Sequence, residues 1–463
     1  MATSLQIPSK IEVRRKILSM ILPITMENVL QMSAGFVTMA MIGRISAVAV
    51  AAVGISMRIT QIIWALFRGV TTGATVFVAQ SYGSGNLIKL KKVIQQTLLS
   101  SIILVLILQQ LLFWFAPQIL NFFKGDPTLI ESGIMYLRTL SWGLPFVAVI
   151  QVVAGVLQGM GNAKTPMKIA LIMNVINMIL SYTFIFGPLG LPAMGLRGAA
   201  VALVVAQSVA ALLGIYVLFN RHGILGTVFN RSFFKLDMKQ VIQVYRVGSP
   251  TAVESIFWQV SSIALTMIIL DFGEVSLAAY QLGLQAESIS YMPAMGFSVA
   301  STAFIGQALG AKDPQLGKRY LKEIVTGSFL ITIFSASVLI FFPAFIMRLL
   351  TDQQEIIDVG IKYLFFMGLV QIPQNMAGVL NGALRGAGFT RVPMIVAGTG
   401  LWLIRIPFSY ILVQFFDVGI TAIWIVMCFD LVFRFILSFT LYKRKNIYEQ
   451  EPVIEKMTVK SEG

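Results

Sequence analysis

The chain repeats widely separated sequence features at one constant spacing of 227 residues. Slippage within a low-complexity sequence cannot keep one spacing over three separate segments, so the chain is an internal duplication. The copies also follow one another in the same order along the chain. The matched segments are Pro23 and Glu27 with Pro250 and Glu254, Gln80-Ser81-Tyr82-Gly83 with Gln307-Ala308-Leu309-Gly310, and Pro166-Met167 with Pro393-Met394.

The composition places this duplication in a membrane. Hydrophobic residues make up 57% of the chain and charged residues only 12%, whereas soluble domains carry roughly 25% charged residues. A single Cys (Cys428) and a single His (His222) argue against disulfides, thiolate metal sites and histidine-based catalysis. The net charge of +15 does not indicate nucleic-acid binding, because the basic residues lie in short connections between apolar segments.

Windows of about 20 apolar residues, the length that crosses a bilayer, predict about twelve helices in two sets of about six. We therefore predict an all-α polytopic membrane protein with two pseudo-symmetric six-helix lobes. An even number of spans per half makes the halves parallel repeats, and transporters place substrates at such repeat interfaces. The predicted spans are 17–42, 52–80, 93–116, 134–158, 167–187, 195–219, 244–270, 277–306, 321–346, 360–384, 393–416 and 418–442.

The spans divide the chain into four regions. Residues 1–219 form the predicted N-terminal six-helix lobe, and residues 244–442 form the C-terminal six-helix lobe. Residues 220–243 are the longest connection, and we expect them to join the lobes on the cytoplasmic side as a hinge. Residues 443–463 form a polar cytoplasmic tail, which is expected to be disordered after about residue 446 because of its composition.

The distribution of Lys and Arg predicts the orientation of the chain. Lys10, Arg14, Arg15 and Lys16 precede the first apolar segment, which is too long for the core of a cleavable signal peptide. Even-numbered connections are rich in basic residues and odd-numbered connections are poor in them. We therefore expect a multi-pass protein of a prokaryotic cytoplasmic membrane with both termini in the cytoplasm.

Motifs recur after the second and the fourth span of both halves, and one further motif precedes the sixth span. The recurring motifs are Gln80-Ser81-Tyr82-Gly83 with Gln307-Ala308-Leu309-Gly310, and residues 157–166 with 384–393; the further motif is residues 186–195. Together they resemble the multidrug and toxic compound extrusion (MATE) family of efflux transporters over residues 15–442. The resemblance implies a V-shaped pair of lobes that exports small organic cations in exchange for H⁺ or Na⁺, without enzymatic chemistry or a cofactor.

The chain departs from that family resemblance at the expected ion-binding positions. Branches of the family carry an Asp on the first span, a second Asp on the fifth span and, in sodium-type members, a Glu on the seventh span. The matching positions here are Thr38, Ser181 and Trp258. The ion sites of those branches therefore cannot be transferred to this chain.

Three carboxylates inside predicted spans are the candidates for ion coupling or substrate binding. An ionisable group at mid-bilayer costs about 3 kcal/mol or more and is rarely kept without a role. Glu27 and Glu254 each lie one helical turn after a Pro, and Glu287 lies where the first half has Thr60. Each carboxylate either exchanges an ion or cationic substrate, or is protonated within a hydrogen-bond network between helices.

Charged residues on other spans could support this site. Asp430 and Arg434 lie four residues apart and so share one helix face. They form either a self-neutralising pair or a cation site that substrate releases, and Arg405 could join them. Arg68 either pairs with a protonatable carboxylate or packs against backbone carbonyls.

Neutral polar residues complete the set of candidates. Asn174 and Asn177 lie three residues apart on the fifth span and either link helices or ligate Na⁺. A Na⁺ site is expected at Glu254 or Asn177, if the chain has one. Weaker candidates for lining the cavity are Trp258, Gln259 and Asn375.

Two transport functions remain open from the sequence. The first is a secondary antiporter of lipophilic organic cations, and the second is a lipid-linked substrate flippase, which would need several basic residues in its cavity. The sequence contains no GxxxxGK[ST] phosphate loop, so ATP is not expected to drive transport. We expect a monomer in the lipid bilayer, with no nucleic-acid partner.

Overall fold

The computed structural model describes residues 9–122, 126–187, 192–221, 223–226, 234–416 and 418–456. Within these residues the regular secondary structure is helical, as predicted. The first half contains α1 (Lys10–Gly43), α2 (Ala47–Gly83), α3 (Leu87–Asn121), α4 (Pro127–Ser141), α5 (Leu144–Gly159), α6 (Lys164–Phe186) and α7 (Gly195–Phe219). The second half contains α8 (Met238–Leu270), α9 (Glu274–Gly310), α10 (Pro314–Phe341), α11 (Pro343–Leu350), α12 (Gln354–Gly386), α13 (Arg391–Thr399), a π-helix (Gly400–Arg405), α14 (Ile406–Phe415), α15 (Thr421–Arg444) and a 3₁₀ turn (Val453–Lys456).

These helices confirm the predicted membrane fold. Among the described residues, ten helical segments are long and apolar enough to cross a bilayer, and α4 with α5 make an eleventh span bent by 49°. Helix α9 has 37 residues, which at about 1.5 Å per residue is more than a bilayer requires, and it supplies the twelfth span. Every predicted span thus corresponds to a helix or to a bent or interrupted helix.

The bend in the fourth span has a local cause. Pro145 lies in the first turn of α5, where its missing N–H is tolerated but the preceding helix cannot continue through it. A Cβ atom on Gly143, between the two helices, would collide with the side-chain oxygen of Gln207 on α7. Close packing on α7 therefore fixes the break at Gly143.

The sequence repeat is also a repeat of contacts. In the first half, the Thr75 hydroxyl on α2 donates to the Gly155 carbonyl oxygen on α5 at 3.1 Å. In the second half, Thr302 on α9 donates to the Gly382 carbonyl oxygen on α12 at 3.0 Å. Each residue of the second pair lies 227 positions after its counterpart in the first. Small residues let helix backbones approach closely enough for such bonds in a membrane.

The repeated Gln-x-x-Gly motif marks a second kind of close contact. A Cβ atom on Gly83, at the end of α2, would overlap the carbonyl group of Gln307. A Cβ atom on Gly310, at the end of α9, would overlap the carbonyl group of Gln80. The two motif glycines are therefore required because the ends of α2 and α9 touch through their backbones.

The described residues pack as two compact units. The N-unit comprises Met26–Val78 and Asn86–Gly248, and the C-unit comprises residues up to Thr25, Ala79–Gly85 and residues from Ser249 onward. The unit boundaries thus fall inside α1, α2 and α8. Tyr136, Ala52 and Ala199 are among the core residues of the N-unit, whereas Tyr280, Tyr363 and Trp424 form an aromatic centre in the C-unit.

Two of the differences between the predicted boundaries and the structure have a bearing on the connections between helices. Helix α8 begins at Met238, so residues 238–243 of the predicted connection are helical. The ninth span ends at Phe341 rather than 346, because Pro343 starts the separate helix α11. Residues 222 and 227–233 of the predicted hinge and residues 188–191 of the predicted motif lie outside the described residues.

The prediction that the tail is disordered after residue 446 is wrong for residues 446–456. Ile447 and Ile454 are buried, with 1% and 2% of their surface exposed. A few apolar side chains in a polar stretch are enough to fix it when a preformed surface receives them. Composition averaged over the tail conceals this effect.

Gly310→Ala is expected to lower the thermal stability of the purified protein, because its methyl group would overlap the Gln80 carbonyl group. Overpacking of this kind costs about 1–3 kcal/mol. Gly54→Ala in α2 is the matched control, since nothing lies within 4 Å of a Cβ atom there. Thermal unfolding in detergent checks this prediction, and equal melting temperatures for both variants would contradict it.

Candidate functional site

Glu254 in the C-unit is neutralised by an arginine. Both carboxylate oxygens of Glu254 on α8 accept hydrogen bonds from Nη2 of Arg385 at the end of α12, at 2.7 and 2.8 Å. Glu254 is buried and Arg385 is half-buried. A guanidinium that reaches both oxygens compensates the charge of Glu254. A Na⁺ ion at Glu254 would have to share these oxygens with Arg385, and the Na⁺ site expected there stays a prediction.

Glu27 in the N-unit has no such partner. It is the repeat counterpart of Glu254, but the counterpart of Arg385 is Gln158. Among the described residues, no Lys or Arg forms an ion pair with Glu27, and its buried Oε2 atom accepts no hydrogen bond. The side chain as a whole is half-buried on α1. The duplication thus produced two carboxylates at equivalent positions, of which one is compensated and the other is not.

Glu287 on α9 is held by neutral donors. The Tyr363 hydroxyl donates to its Oε2 atom at 2.8 Å, and the Gln371 side-chain amide donates to its Oε1 atom at 3.0 Å. Tyr363 in turn packs edge-on against Trp424, with ring centroids 4.9 Å apart. Tyrosine and glutamine donors can stabilise either a carboxylate or a bound cation beside it, because neither brings a charge.

A hydroxyl and amide cluster lies on the same helices as Glu287. The Asn375 amide on α12 donates to Ser290 on α9 at 3.3 Å and to Thr332 on α10 at 3.1 Å. Ser290 also shares a hydrogen bond of 2.8 Å with Ser335 on α10. The predicted cavity residue Asn375 is thus buried and links three helices.

Asp430 on α15 binds two arginines through one oxygen. Its Oδ2 atom lies 2.8 Å from Nε of Arg405 and 2.8 Å from Nη2 of Arg434. All three side chains are buried, so the cluster carries one positive charge more than its carboxylate compensates. The predicted Asp430–Arg434 pair and the addition of Arg405 both appear in the structure.

The surroundings explain how this cluster fits between helices. Arg405 ends the π-helix, a local widening that is common at functional sites. A Cβ atom on Gly400 of that helix would overlap Asp430 Oδ1, so glycine leaves room for the carboxylate. The predicted cavity residue Trp258 lies with its ring over Arg434, 4.5 Å from the guanidinium carbon to the ring centroid, and is 38% exposed.

The polar residues of α6 form a neutral cluster in the N-unit. Asn177 donates to the Thr38 hydroxyl on α1 at 3.4 Å and accepts a hydrogen bond from Ser181 at 3.4 Å. These contacts join the two positions that hold Asp in branches of the family. The Asn174 side-chain nitrogen is buried without a hydrogen-bond partner among the described residues. The cluster contains amides and hydroxyls but no charge.

Other predicted site residues do not take part in these contacts. The side chain of Arg68 is exposed and forms no ion pair within the described part of the chain, so its role stays a prediction. Gln259 is half-buried on α8.

The sequence analysis missed Arg385 as the partner of Glu254 and Tyr363 as the partner of Glu287. The difference between Gln158 in the first repeat and Arg385 in the second was a usable signal for the former. The described residues contain no group of three or more His, Cys, Asp or Glu that could hold a metal ion.

Comparisons with known proteins match the whole duplicated region. The MatE family model matches residues 23–183 and 250–411, one segment for each copy of the repeat. The chain is 30% identical over 458 residues to the probable multidrug resistance protein NorM of Thermotoga maritima, covering 98% of this chain and 97% of that protein. It is 26% identical over 425 residues to the probable multidrug resistance protein YoeA of Bacillus subtilis, covering 90% of each.

The fold is shared with solved structures as well. A mutant of the Vibrio cholerae MATE transporter VcmN superposes with a TM-score of 0.87 at 19% identity, covering 95% of this chain and 99% of that one. At this identity the likeness establishes the fold alone.

Asp430→Asn is expected to destabilise the protein strongly, because Arg405 and Arg434 would remain buried without a counter-charge. Breaking a buried ion pair by removing one partner costs about 3–5 kcal/mol. The double variant Asp430→Asn/Arg434→Gln removes one of the stranded cations and should recover part of the loss. Thermal unfolding of both variants provides the check, and an unchanged melting temperature for Asp430→Asn would refute the argument.

Proposed function

We propose that this chain, which belongs to the MatE family of membrane transporters, is a secondary antiporter that exports lipophilic organic cations in exchange for H⁺ or Na⁺. The observation that carries the proposal is the uncompensated carboxylate of Glu27, in contrast to the compensated carboxylate of its repeat counterpart Glu254. The printed names of the relatives, multidrug resistance proteins, support export of varied small molecules.

An uncompensated carboxylate in a membrane helix is a cation site by electrostatics alone. At an effective dielectric constant of about 20, a cation at 4 Å gains about 4 kcal/mol from such a charge. Each 1.4 kcal/mol changes an affinity about tenfold, so the charge state of Glu27 can change the affinity for a cationic drug by about two orders of magnitude or more. Glu254 cannot act in this way while Arg385 holds it.

Competition for this one charge couples the two transported cations. With the site open to the cytoplasm, ionised Glu27 attracts the lipophilic cation, and the transporter then turns the site outward. There H⁺ or Na⁺ neutralises the carboxylate, so the drug leaves and the ion is carried back inward. A ligand shifts the equilibrium between two states only by its difference in affinity for them, which the competition supplies.

Glu287 is the second coupling candidate. Its oxygens face a hydroxyl and an amide rather than a cation, so the carboxylate can take up H⁺ or hold Na⁺ together with neutral donors. Asn177, with Thr38 and Ser181, offers amide and hydroxyl oxygens for a Na⁺ ion without adding charge. The proposal places the protein in a prokaryotic cytoplasmic membrane as a monomer, with both termini in the cytoplasm.

The Asp430 cluster favours one other function. Arg405 and Arg434 share a single carboxylate and leave one positive charge in excess, which suits an anionic headgroup. A lipid-linked substrate flippase is therefore the second candidate. Arg68 on α2 is exposed and is not counted in this cluster.

Glu27→Gln is expected to lower cation flux by about tenfold or more, because it removes the charge for which drug and ion compete. Flux of ethidium into or out of proteoliposomes measures this, with a pH gradient and a Na⁺ gradient imposed separately. The matched control is Glu254→Gln/Arg385→Gln, which removes a carboxylate together with its partner and should retain flux. Glu287→Gln is assayed alongside to assign the second carboxylate.

Two results would contradict the antiporter. The first is that wild-type protein moves ethidium under neither gradient, in which case a lipid-translocation assay with an anionic headgroup tests the flippase. Alternatively, Glu27→Gln and wild type would transport at the same rate, and Glu27 would then have no part in coupling.

Gln158→Arg is expected to suppress cation flux although every carboxylate remains. The substitution places in the first half the arginine that neutralises Glu254 in the second half, at the equivalent position 227 residues earlier. A guanidinium there would compensate Glu27 and compete with the substrate. Gln158→Leu removes the amide without adding charge and is the control, so equal flux in the two variants would contradict the prediction.

A further inference from the structure

The residues that follow the last membrane helix pack against other helices. Residues 445–456, here called the strap, leave α15 and run across the ends of other helices in the C-unit. Ile447 and Ile454 are buried in this otherwise polar segment, with 1% and 2% of their surface exposed. The segment closes with the 3₁₀ turn Val453–Lys456. A strap of this length is held by specific contacts and not by a core of its own.

The first contact is made through Gln80 at the end of α2. The backbone N–H of Ile454 donates to Gln80 Oε1 at 3.3 Å. The side-chain nitrogen of the same glutamine donates to the Gly386 carbonyl oxygen at the end of α12, at 3.0 Å. Gln80 is completely buried. One side-chain amide therefore connects the strap to a helix of the first sequence half and to a helix of the second.

The second contact surrounds the same turn of the strap. Val453 packs over Gly388, which has a φ of +89° and could not carry a Cβ atom without striking that valine. Glu455 accepts a hydrogen bond of 2.7 Å from the Lys312 ammonium group after α9. This bond and the charge of Glu455 raise the pKa of Lys312, because both stabilise the charged ammonium group.

The other end of the strap is tied to α10 and α15. The hydroxyl groups of Tyr448 and Tyr442 share a hydrogen bond of 2.9 Å. Burial, followed by this bond, raises the pKa of Tyr448. The Tyr448 ring lies beside Gly317, and the ammonium group of Lys318 lies 5.8 Å from the ring centroid.

We propose that the strap binds the ends of α2, α9 and α12 in one state of the transport cycle and dissociates from them in the other. This proposal rests on the proposed antiporter function, because alternating access requires the helix ends at one membrane face to separate in one state. The boundary between the two units in α2 falls between Val78 and Ala79. The strap thus contacts α2 at Gln80, within two residues of that boundary.

The contacts suit release better than permanent attachment. The Lys312 and Glu455 side chains are 69% and 36% exposed, and exposed ion pairs are worth little. The other contacts of the strap include the hydrogen bonds of Ile454 with Gln80 and of Tyr448 with Tyr442, together with the burial of a few apolar side chains. A permanent structural element would be expected to have a longer buried interface.

A cleavable crosslink tests the proposal. Lys312→Cys and Glu455→Cys are introduced together in a Cys428→Ser background, which leaves no other thiol, and are joined by a short bis-maleimide with an internal disulfide. Crosslinking is expected to reduce ethidium flux by about tenfold or more, since it excludes one of two required states. Reduction of the linker should restore the flux.

The control pair is Asn446→Cys/Glu449→Cys. These side chains bond to each other within the strap, at 2.6 Å, so their crosslink does not fasten the strap to another helix and should leave flux unchanged. Unchanged flux in the crosslinked 312–455 protein, with crosslinking verified by mass spectrometry, would overturn the proposal. If the uncrosslinked, folded double variant moves no ethidium, the antiporter function is what fails.

Hydrogen exchange gives a readout that does not depend on transport. A strap that releases should exchange the Ile454 amide well before the amides in the middle of α15. If the Ile454 amide is protected as strongly as those of α15, the strap is a permanent part of the fold and the proposal is wrong.

Discussion

A charge that the chain carries into the bilayer has to be compensated by the chain itself, since lipid offers neither water nor counter-ions. This constraint organises the interior of the C-unit. Glu254 is held by Arg385 and Asp430 by Arg405 and Arg434, while Glu287 is held by neutral donors. These three arrangements differ in the net charge that remains after compensation, and this net charge determines which ligand each site can bind. A neutral pair binds nothing further, whereas an uncompensated carboxylate attracts a cation.

The duplication separates the scaffold from the chemistry. Contacts that bring helices together are kept in both halves, as the bonds of Thr75 and Thr302 to glycine carbonyl groups demonstrate. The compensating charges are not kept, since Arg385 and Asp430 correspond to Gln158 and Leu203 in the first half. Packing of two similar bundles requires the residues of these helix contacts in both halves. Under the proposed mechanism, ion coupling requires only one uncompensated carboxylate, so the charged residues could differ between the halves.

The predictions from sequence succeeded where the physical cause is local. Apolar windows located every span, and the spacing of Asp430 and Arg434 predicted their ion pair, because residues four apart share a helix face. The partners of Glu254 and Glu287 were missed, since Arg385 and Tyr363 are distant in sequence and only helix packing brings them close. The prediction that the tail is disordered failed because it used the average composition of the segment. Two buried isoleucines are enough to hold residues 447–456 against the helices.

The asymmetry between Glu27 and Glu254 also suggests how one duplicated carboxylate came to be available for transport. If both had an arginine, a substrate cation would have to displace a guanidinium that already reaches both oxygens, and its gain in binding energy would be largely cancelled. If neither had one, two charges would each need compensation in the membrane. With Gln158 in place of an arginine, the first half keeps a single attractive charge. The compensated carboxylate Glu254 then stabilises the second half, and under the proposed mechanism the transported cation binds at Glu27 in the first half.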